Sequence, residues 1–174
     1  MPKFQFFYDY ECPFCKRGYE LLVDLLPAYP EMEVEWRPVE LNPRPETQQS
    51  NAGPCIQAYY IARELGADIN AFHKKMFQAV AIERQYVRKD EVLAKVLEGI
   101  VDSGKFLEIL KSGKYAPNVK ENNDLAYEKN GVWYVTAFRI TGADSKDAPR
   151  LDARGGRGVT QEGIKDFLDR IKGS

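Results

Sequence analysis

The chain has 174 residues, of which 44% are hydrophobic and 29% charged, and its formal net charge at pH 7 is −1. This composition is that of an ordinary globular domain and excludes a disordered or fibrous chain. The small net charge gives no electrostatic case for nucleic acid or an anionic membrane as a partner, and no apolar run approaches the ~18 residues of a membrane span.

The first 41 residues are predicted to form a strand, a helix and a second strand. Residues 3–10 are apolar, aromatic and uninterrupted, which is typical of a buried strand. Residues 13–26 repeat apolar side chains at helical spacing, and Pro13 suits the first turn, where its missing N–H costs little. Residues 32–37 alternate apolar and charged side chains, which favours a half-buried strand. The segment therefore predicts a parallel, right-handed βαβ unit.

Residues 42–45, which include two prolines, interrupt regular secondary structure and separate this unit from a long region without a convincing strand. Residues 55–129 carry apolar stripes at helical spacing, so we expect several helices there. From residue 132 the pattern alternates again with apolar side chains on both faces, which predicts a covered strand over 132–140. A short partner strand is expected near 150–154, and Thr160 can cap a last helix.

The two strand-forming ends must share one sheet, because neither end can bury a sheet alone. The helical block is then an insertion between them. We therefore predict an α/β fold in the order βαβ–ββα, with one domain built from residues 1–50 and 131–174 and an all-helical inserted domain over 51–130.

Three cysteines are too few for a disulfide framework. The chain runs from Met1 straight into a strand pattern with none of the features of a signal peptide, so we expect a cytoplasmic protein. In that compartment a cysteine pair is usually catalytic, redox-sensing or metal-binding. Cys55, the third cysteine, lies near the start of an apolar helical pattern and is predicted to be a small buried apolar residue of the core.

The motif Cys12-Pro13-Phe14-Cys15 stands where the first strand gives way to the first helix. A helix N-terminus favours negative charge and hence the thiolate, which is the species that attacks a disulfide. A second thiol one turn later can resolve the mixed disulfide. The motif supplies only two of the four ligands of a structural zinc site. It therefore predicts a thiol–disulfide oxidoreductase with Cys12 as nucleophile and Cys15 as resolving thiol.

The element order with a Cys-x-x-Cys after the first strand resembles the thioredoxin fold, and the helical insertion makes the chain resemble the DsbA family. The segment from Tyr8 to Cys15 is similar to the start of DsbA-like proteins without signal peptides, a branch that includes 2-hydroxychromene-2-carboxylate isomerases and kappa-class glutathione transferases. The resemblance implies no tightly bound cofactor and no metal, with glutathione as a candidate thiol co-substrate. It implies a disulfide-containing protein or a small thiol as substrate, and it does not define the oligomeric state.

The resemblance also implies a groove around the cysteine pair, with Pro13, Phe14, Tyr10, Val135 and Thr136 as supporting residues. In the family, the strand after the insertion begins with Val followed by a cis-proline, and the matching positions here are Val135 and Thr136. Because a cis bond before a residue other than proline costs ~3–4 kcal/mol, we expect a trans peptide or a rearranged loop. We also expect the Thr136 hydroxyl to lie near the cysteines.

Three functions remain open at this point. The leading one is a reductase of cytosolic disulfides. The second is a glutathione-dependent isomerase or transferase on the same fold, although that branch typically has Ser at the position of Cys12. The third is a redox-sensing or binding module without turnover. A basic cluster of Arg84, Arg88 and Lys89 is either a solvated helix end or a site for a glutathione carboxylate, and His73 is expected at the edge of an apolar face.

Overall fold

A computed structural model describes residues 2–41, 50–143, 147–154 and 157–173. The interruption predicted at 42–45 lies outside these residues. The elements in chain order are strand β1 (Lys3–Tyr8), helix α1 (Pro13–Leu25), strand β2 (Glu33–Pro38), helices α2 (Ala52–Glu64), α3 (Ile69–Phe77), α4 (Asp90–Val96), α5 (Ser103–Ser112) and α6 (Ala116–Asn123), strands β3 (Ala137–Ile140) and β4 (Arg150–Asp152), and helix α7 (Gln161–Lys172). A 3₁₀ turn follows α1, and wider π-helical turns extend α3 through Ile82 and α6 through Lys129.

The four strands form one sheet in the order β2-β1-β3-β4. Strands β1 and β2 are parallel, with Phe6 opposite Trp36. Strand β3 returns antiparallel to β1, with Phe138 opposite Phe6, and β4 pairs antiparallel with β3. The predicted βαβ unit and the C-terminal hairpin are both confirmed, and the two ends of the chain do share one sheet. The thioredoxin-like fold with helices α2 to α6 between its halves follows from this arrangement.

The predicted strand over 132–140 is too long. Regular pairing begins at Ala137, which lies opposite Phe7, and the residues before it form an irregular segment. Val132 donates its N–H to the Ala126 carbonyl rather than to a strand, and Trp133 is 80% exposed. The alternation fits a covered sheet, but the residues before Ala137 lie outside the sheet.

Aromatic rings fill the core beside the sheet. Phe138 packs on Phe4, Phe6 and Phe167, with ring centroids 5.1 to 5.9 Å apart. Phe167 belongs to α7, so this cluster joins the sheet to the last helix. That helix begins as predicted, because Thr160 Oγ1 accepts a hydrogen bond from the N–H of Gly163 at 3.0 Å.

His73 lies in the core, not at the edge of an apolar face as predicted. Its side chain is fully buried, and its Nδ1 is 3.0 Å from the Tyr10 hydroxyl, which in turn lies 2.8 Å from the Tyr8 hydroxyl. Burial lowers the pKa of His73 to about 3, so the ring is neutral in the folded protein. A hydrogen-bond partner in the core is what the helical pattern alone could not reveal.

Helices α2 to α6 form the block between the two halves of the sheet, as the sequence predicts. The boundaries at residues 50 and 130 remain predictions. Across the residues that the structure describes, we find no helix with the length and apolar character that crossing a membrane requires.

Candidate active site

Cys12 is the N-cap of α1. Its backbone is extended, with φ −96° and ψ 115°, and Pro13 occupies the first helical position. The N–H of Cys12 donates to the Asp9 carbonyl at 3.1 Å, which closes the turn between β1 and the helix. The turn after β1 therefore positions Cys12 at the N-terminus of α1, which is the positive end of the helix dipole.

The environment of Cys12 favours its thiolate. Its pKa is lowered from 9.0 to about 6, chiefly by a hydrogen bond from the Cys15 thiol and further by the backbone N–H groups of Cys15 and Phe14. The charge of Arg84 lowers it too, whereas partial burial acts in the opposite direction. A substantial fraction of Cys12 is therefore thiolate at neutral pH.

Cys15 is the opposite case. The side chain is fully buried in the first turn of α1, and burial together with the Cys12 sulfur raises the pKa of its thiol well above 9.0. Its Sγ accepts a hydrogen bond from the N–H of Asp9 at 3.5 Å. The pair thus consists of an accessible, acidic thiol, Cys12, and a buried, protonated thiol, Cys15. Disulfide exchange needs the first for attack on the substrate and the second for resolution of the mixed disulfide.

Asp9 is a buried carboxyl that the sequence motif does not reveal. Its oxygens accept hydrogen bonds from the N–H groups of Glu11 and Leu41, each at 2.7 Å. Burial, with smaller contributions from the nearby Glu11 and Cys12, raises the pKa of Asp9 from 3.8 to about 7 despite these bonds. Asp9 therefore ties the segment after β2 to the turn that carries Cys12.

The same segment is held from the helical block. Glu40 donates its N–H to Asn123 Oδ1 at 2.9 Å, and its carboxylate accepts from Asn123 and Ser50. The Tyr127 hydroxyl donates to the Glu40 carbonyl. These bonds fix Leu41 as a wall beside Cys12.

An apolar cleft of about 740 Å³ opens on one side of Cys12. Phe14 and Val135, two of the predicted groove residues, line it together with the exposed Trp133. The remaining lining residues are Leu41, Tyr127, Val132, Tyr134, Arg154 and Gly158. The irregular segment that replaces the predicted start of the strand thus forms one wall of this cleft.

The other predicted groove residues lie elsewhere. Pro13 lines a second, more polar cleft of about 340 Å³ that also contains Cys12. Tyr10 is fully buried and bonds to Tyr8 and His73 beneath the site. Thr136 is also fully buried. The Tyr10 ring lies in the core and does not line the groove.

The Val135–Thr136 peptide bond is cis, so the expected trans peptide is wrong. The segment is held by contacts with distant parts of the chain, which the local cost of the bond does not include. The Thr136 carbonyl accepts from the N–H of Ala153 at 2.8 Å, and its side chain lies against Gly18.

Arg84 is the member of the basic cluster that reaches the site. It follows the π-helical turn after α3, has a left-handed φ of 55°, and donates from its guanidinium to the Glu11 carbonyl at 3.2 Å. Arg84 lines the polar cleft with Cys12, whereas the guanidinium of Arg88 stacks on Tyr86. The helical block thus contributes a positive charge beside the nucleophile.

Replacing Arg84 with glutamine should raise the pKa of Cys12 by about half a unit, since exposed charge pairs contribute ~0.2–1 kcal/mol and one pKa unit equals about 1.4 kcal/mol. The shift should shrink at high salt because exposed charges are screened. A pH titration of the thiolate's ultraviolet absorbance measures it. Lys89→Gln, which removes an exposed cation from the next segment, is the matched control and should leave the titration unchanged; an equal shift in both variants would exclude a specific role.

Cys55 is a free, fully buried thiol in α2, as predicted for a small apolar residue of the core. Burial raises the pKa of its thiol well above 9.0, so it is a poor nucleophile. Within the described ranges, no three His, Cys, Asp or Glu side chains lie close enough together to hold a metal ion.

Comparisons with known proteins identify the family and the fold. The model of the DSBA-like thioredoxin domain matches residues 3–132. Protein YwbO of Bacillus subtilis (strain 168), itself uncharacterized, is 26% identical over 179 residues, covering 80% of this chain and 89% of that protein. A thioredoxin-like oxidoreductase from Silicibacter pomeroyi DSS-3 is similar in structure, with a TM-score of 0.71, 19% identity, and coverage of 99% of this chain and 87% of that one.

DsbA of Pseudomonas aeruginosa gives a TM-score of 0.70 at 19% identity and covers 99% of this chain and 83% of that one. These structures show the shared fold, and the family match extends over well more than half of the chain. The match includes β1, the cysteine motif and the helical block. The chain therefore belongs to the DSBA-like thioredoxin domain family and is of the thiol oxidoreductase type.

Proposed function

We propose that this protein is a dithiol–disulfide oxidoreductase that reduces disulfides in the cytoplasm. The main support is the difference in acidity between the two thiols of the motif, of which Cys12 lines the apolar cleft. Cys12 has a pKa of about 6, and Cys15 is buried with a raised pKa. Such a pair presents one reactive thiolate at a time, which suits sequential attack and resolution.

The reaction proceeds in two exchanges. The Cys12 thiolate attacks a substrate disulfide, the substrate S–S bond breaks, and one substrate sulfur leaves as a thiolate. Cys15 then loses its proton to solvent and attacks Cys12 Sγ, which releases the second substrate sulfur as a thiolate and forms the Cys12–Cys15 disulfide. The substrate gains two electrons and the protein loses two. An external thiol such as glutathione returns the pair to the dithiol.

The acidity of Cys12 supports the reducing direction. A thiol pKa of ~7 accompanies about −270 mV in thioredoxin, and a pKa of ~3.5 accompanies about −120 mV in DsbA. The value of about 6 for Cys12 lies nearer to that of thioredoxin, so we expect a reduction potential nearer to about −270 mV than to about −120 mV. A potential on this side favours the reducing direction, and glutathione is the candidate thiol that regenerates the dithiol.

The apolar cleft favours a peptide disulfide over a small charged one. Trp133, Tyr134 and Phe14 are all strongly exposed in or beside the cleft that contains Cys12. Exposed aromatic side chains of this kind are typical anchors in recognition sites, because their burial contributes most of the binding free energy. An apolar side chain next to the substrate cysteine is therefore the expected partner of Trp133.

The test is glutathione-coupled reduction of a peptide disulfide with flanking Leu and Phe residues. Trp133→Ala should lower kcat/KM for this peptide about tenfold and leave the rate with a small aryl disulfide nearly unchanged, because only the peptide buries the indole. Tyr86→Ala is the matched control: Tyr86 is 48% exposed and is not among the described residues that line either cleft. The absence of any turnover by the parent protein would refute the proposed function.

A further inference from the structure

Thr136 carries a buried hydroxyl group that lacks a hydrogen-bond partner among the described residues. The whole side chain is fully buried. The backbone of the same residue is well bonded, because its carbonyl accepts from the N–H of Ala153 at 2.8 Å. Buried hydroxyls almost always find a partner, and an exception in a native fold indicates either bound water or a functional role.

The hydroxyl faces the helix that carries the cysteines. A Cβ built on Gly18 would lie 3.1 Å from Thr136 Oγ1 and 3.5 Å from its methyl group. Helix α1 and the Thr136 side chain can therefore approach this closely because residue 18 has no side chain. Gly18 follows Cys15 by three positions and therefore lies on the same face of α1. The contact brings the hydroxyl close enough to Cys15 to lower the pKa of its thiol, against the larger opposing effect of burial.

A second donor lies close to Cys15. The N–H of Asp9 points at Cys15 Sγ at 3.5 Å. Asp9 is itself fixed by the bonds that its carboxyl accepts from Glu11 and Leu41, so this donor cannot easily turn away. Cys15 is therefore close to one backbone donor and one side-chain donor at a fully buried position.

We propose that Thr136 is a catalytic residue of the resolving step, in which its hydroxyl and the Asp9 N–H together hold the Cys15 sulfur as a thiolate. This inference rests on the proposed disulfide exchange. A protonated thiol is a weak acceptor, and the hydroxyl has no partner among the described residues in that state. It gains its acceptor when Cys15 ionises, which makes the interaction stronger in the reacting state than in the resting one.

The role is the same in both directions of the reaction. In reduction of a substrate, Cys15 gives its proton to solvent, and the thiolate attacks Cys12 Sγ in the mixed disulfide. The bond between Cys12 and the substrate breaks, the Cys12–Cys15 bond forms, and the substrate sulfur leaves as a thiolate. In the reverse direction Cys15 is the leaving group, and the same donors stabilise the charge that it acquires.

An aryl disulfide reagent, dithiobisnitrobenzoate, separates the two steps in a Cys55→Ser background. Attack by Cys12 releases one coloured thiolate at a rate that depends on reagent concentration. Attack by Cys15 on the Cys12 adduct releases a second at a rate that does not. Thr136→Val, which replaces the hydroxyl with a methyl group of similar shape, should slow the second phase about tenfold, the usual effect of one hydrogen bond to a charged group.

The pH profile of the second phase should move to higher pH in Thr136→Val, the first phase should stay within about twofold, and Thr136→Ser should restore most of the second rate. An unchanged second phase, or equal slowing of both phases, overturns the inference. If the valine variant does not fold, Thr136→Ala removes the same hydroxyl and is judged by the same criteria. A parent protein that shows no second phase refutes the proposed function itself, because Cys15 then resolves nothing.

Discussion

Replacing Cys12 with serine should abolish disulfide exchange, with a loss on the order of a thousandfold or more. The reason is that the reaction needs a thiolate, and Cys12 is the one accessible sulfur of the motif, with a pKa of about 6. A serine hydroxyl at the same helix N-terminus stays protonated and does not attack sulfur. The measurement is the rate of reduction of a peptide disulfide under single-turnover conditions.

Two matched variants sharpen this result. Cys55→Ser should retain nearly full activity, because Cys55 is fully buried in α2 and its thiol pKa is raised. Cys15→Ser should allow the first attack but not the second, so a mixed disulfide on Cys12 should accumulate and be visible by mass spectrometry. Full activity of Cys12→Ser, or a mixed disulfide on another cysteine, would show that the nucleophile is misassigned.

The first attack should also depend on pH in a defined direction. Because the pKa of Cys12 is about 6, the rate should rise with pH, reach half of its maximum near pH 6, and level off above it. A midpoint near the ordinary thiol value of ~8.5 would mean that the helix end and the Cys15 hydrogen bond do not stabilise the thiolate.

Replacing Phe138 with alanine should destabilise the fold by about 3–5 kcal/mol, the range typical of removing a buried phenylalanine. Phe138 is fully buried and contacts rings from β1 and α7, so its loss opens a cavity between the sheet and the last helix. For a chain of this size the melting temperature should fall by about 10 °C. Thermal unfolding followed by circular dichroism measures the change.

Phe14→Ala is the control, since it removes the same side chain from an exposed position. Phe14 is 47% exposed and lines the apolar cleft, so its removal should change the melting temperature by no more than a few degrees while weakening peptide binding. Equal destabilisation by both substitutions would contradict the assignment of Phe138 to the core and of Phe14 to the cleft.

The parts of this structure that sequence predicts well are those with a local signal. The period-two and helical patterns define the βαβ unit, and the position of Cys12 at the start of α1 follows from the strand-to-helix switch and Pro13. Thr160 acts as the N-cap because its hydroxyl has to reach only three residues ahead. Each of these features is decided by neighbours in the chain.

The parts that sequence misses depend on contacts between distant segments. The alternation from residue 132 looks like a strand, yet the segment leaves the sheet and lines the cleft, and the peptide before Thr136 is cis. In the sequence Asp9 is an ordinary acidic residue, but in the fold it accepts a hydrogen bond from the Leu41 N–H. Arg84 is one member of a basic cluster in the sequence, but in the fold it donates to the Glu11 carbonyl. A single sequence does not reveal such contacts between distant residues.

The equilibrium between reduced and oxidised Cys12/Cys15 tests the central claim most directly. It is measured in glutathione buffers by mass spectrometry, on a Cys55→Ser background. We expect a reversible intramolecular disulfide with a potential nearer to the ~−270 mV of thioredoxin than to the ~−120 mV of DsbA. A potential near the ~−120 mV of DsbA would contradict the reducing direction. A stable glutathione adduct on Cys12, or no disulfide at all, would contradict the dithiol chemistry and favour glutathione transfer or a binding role instead.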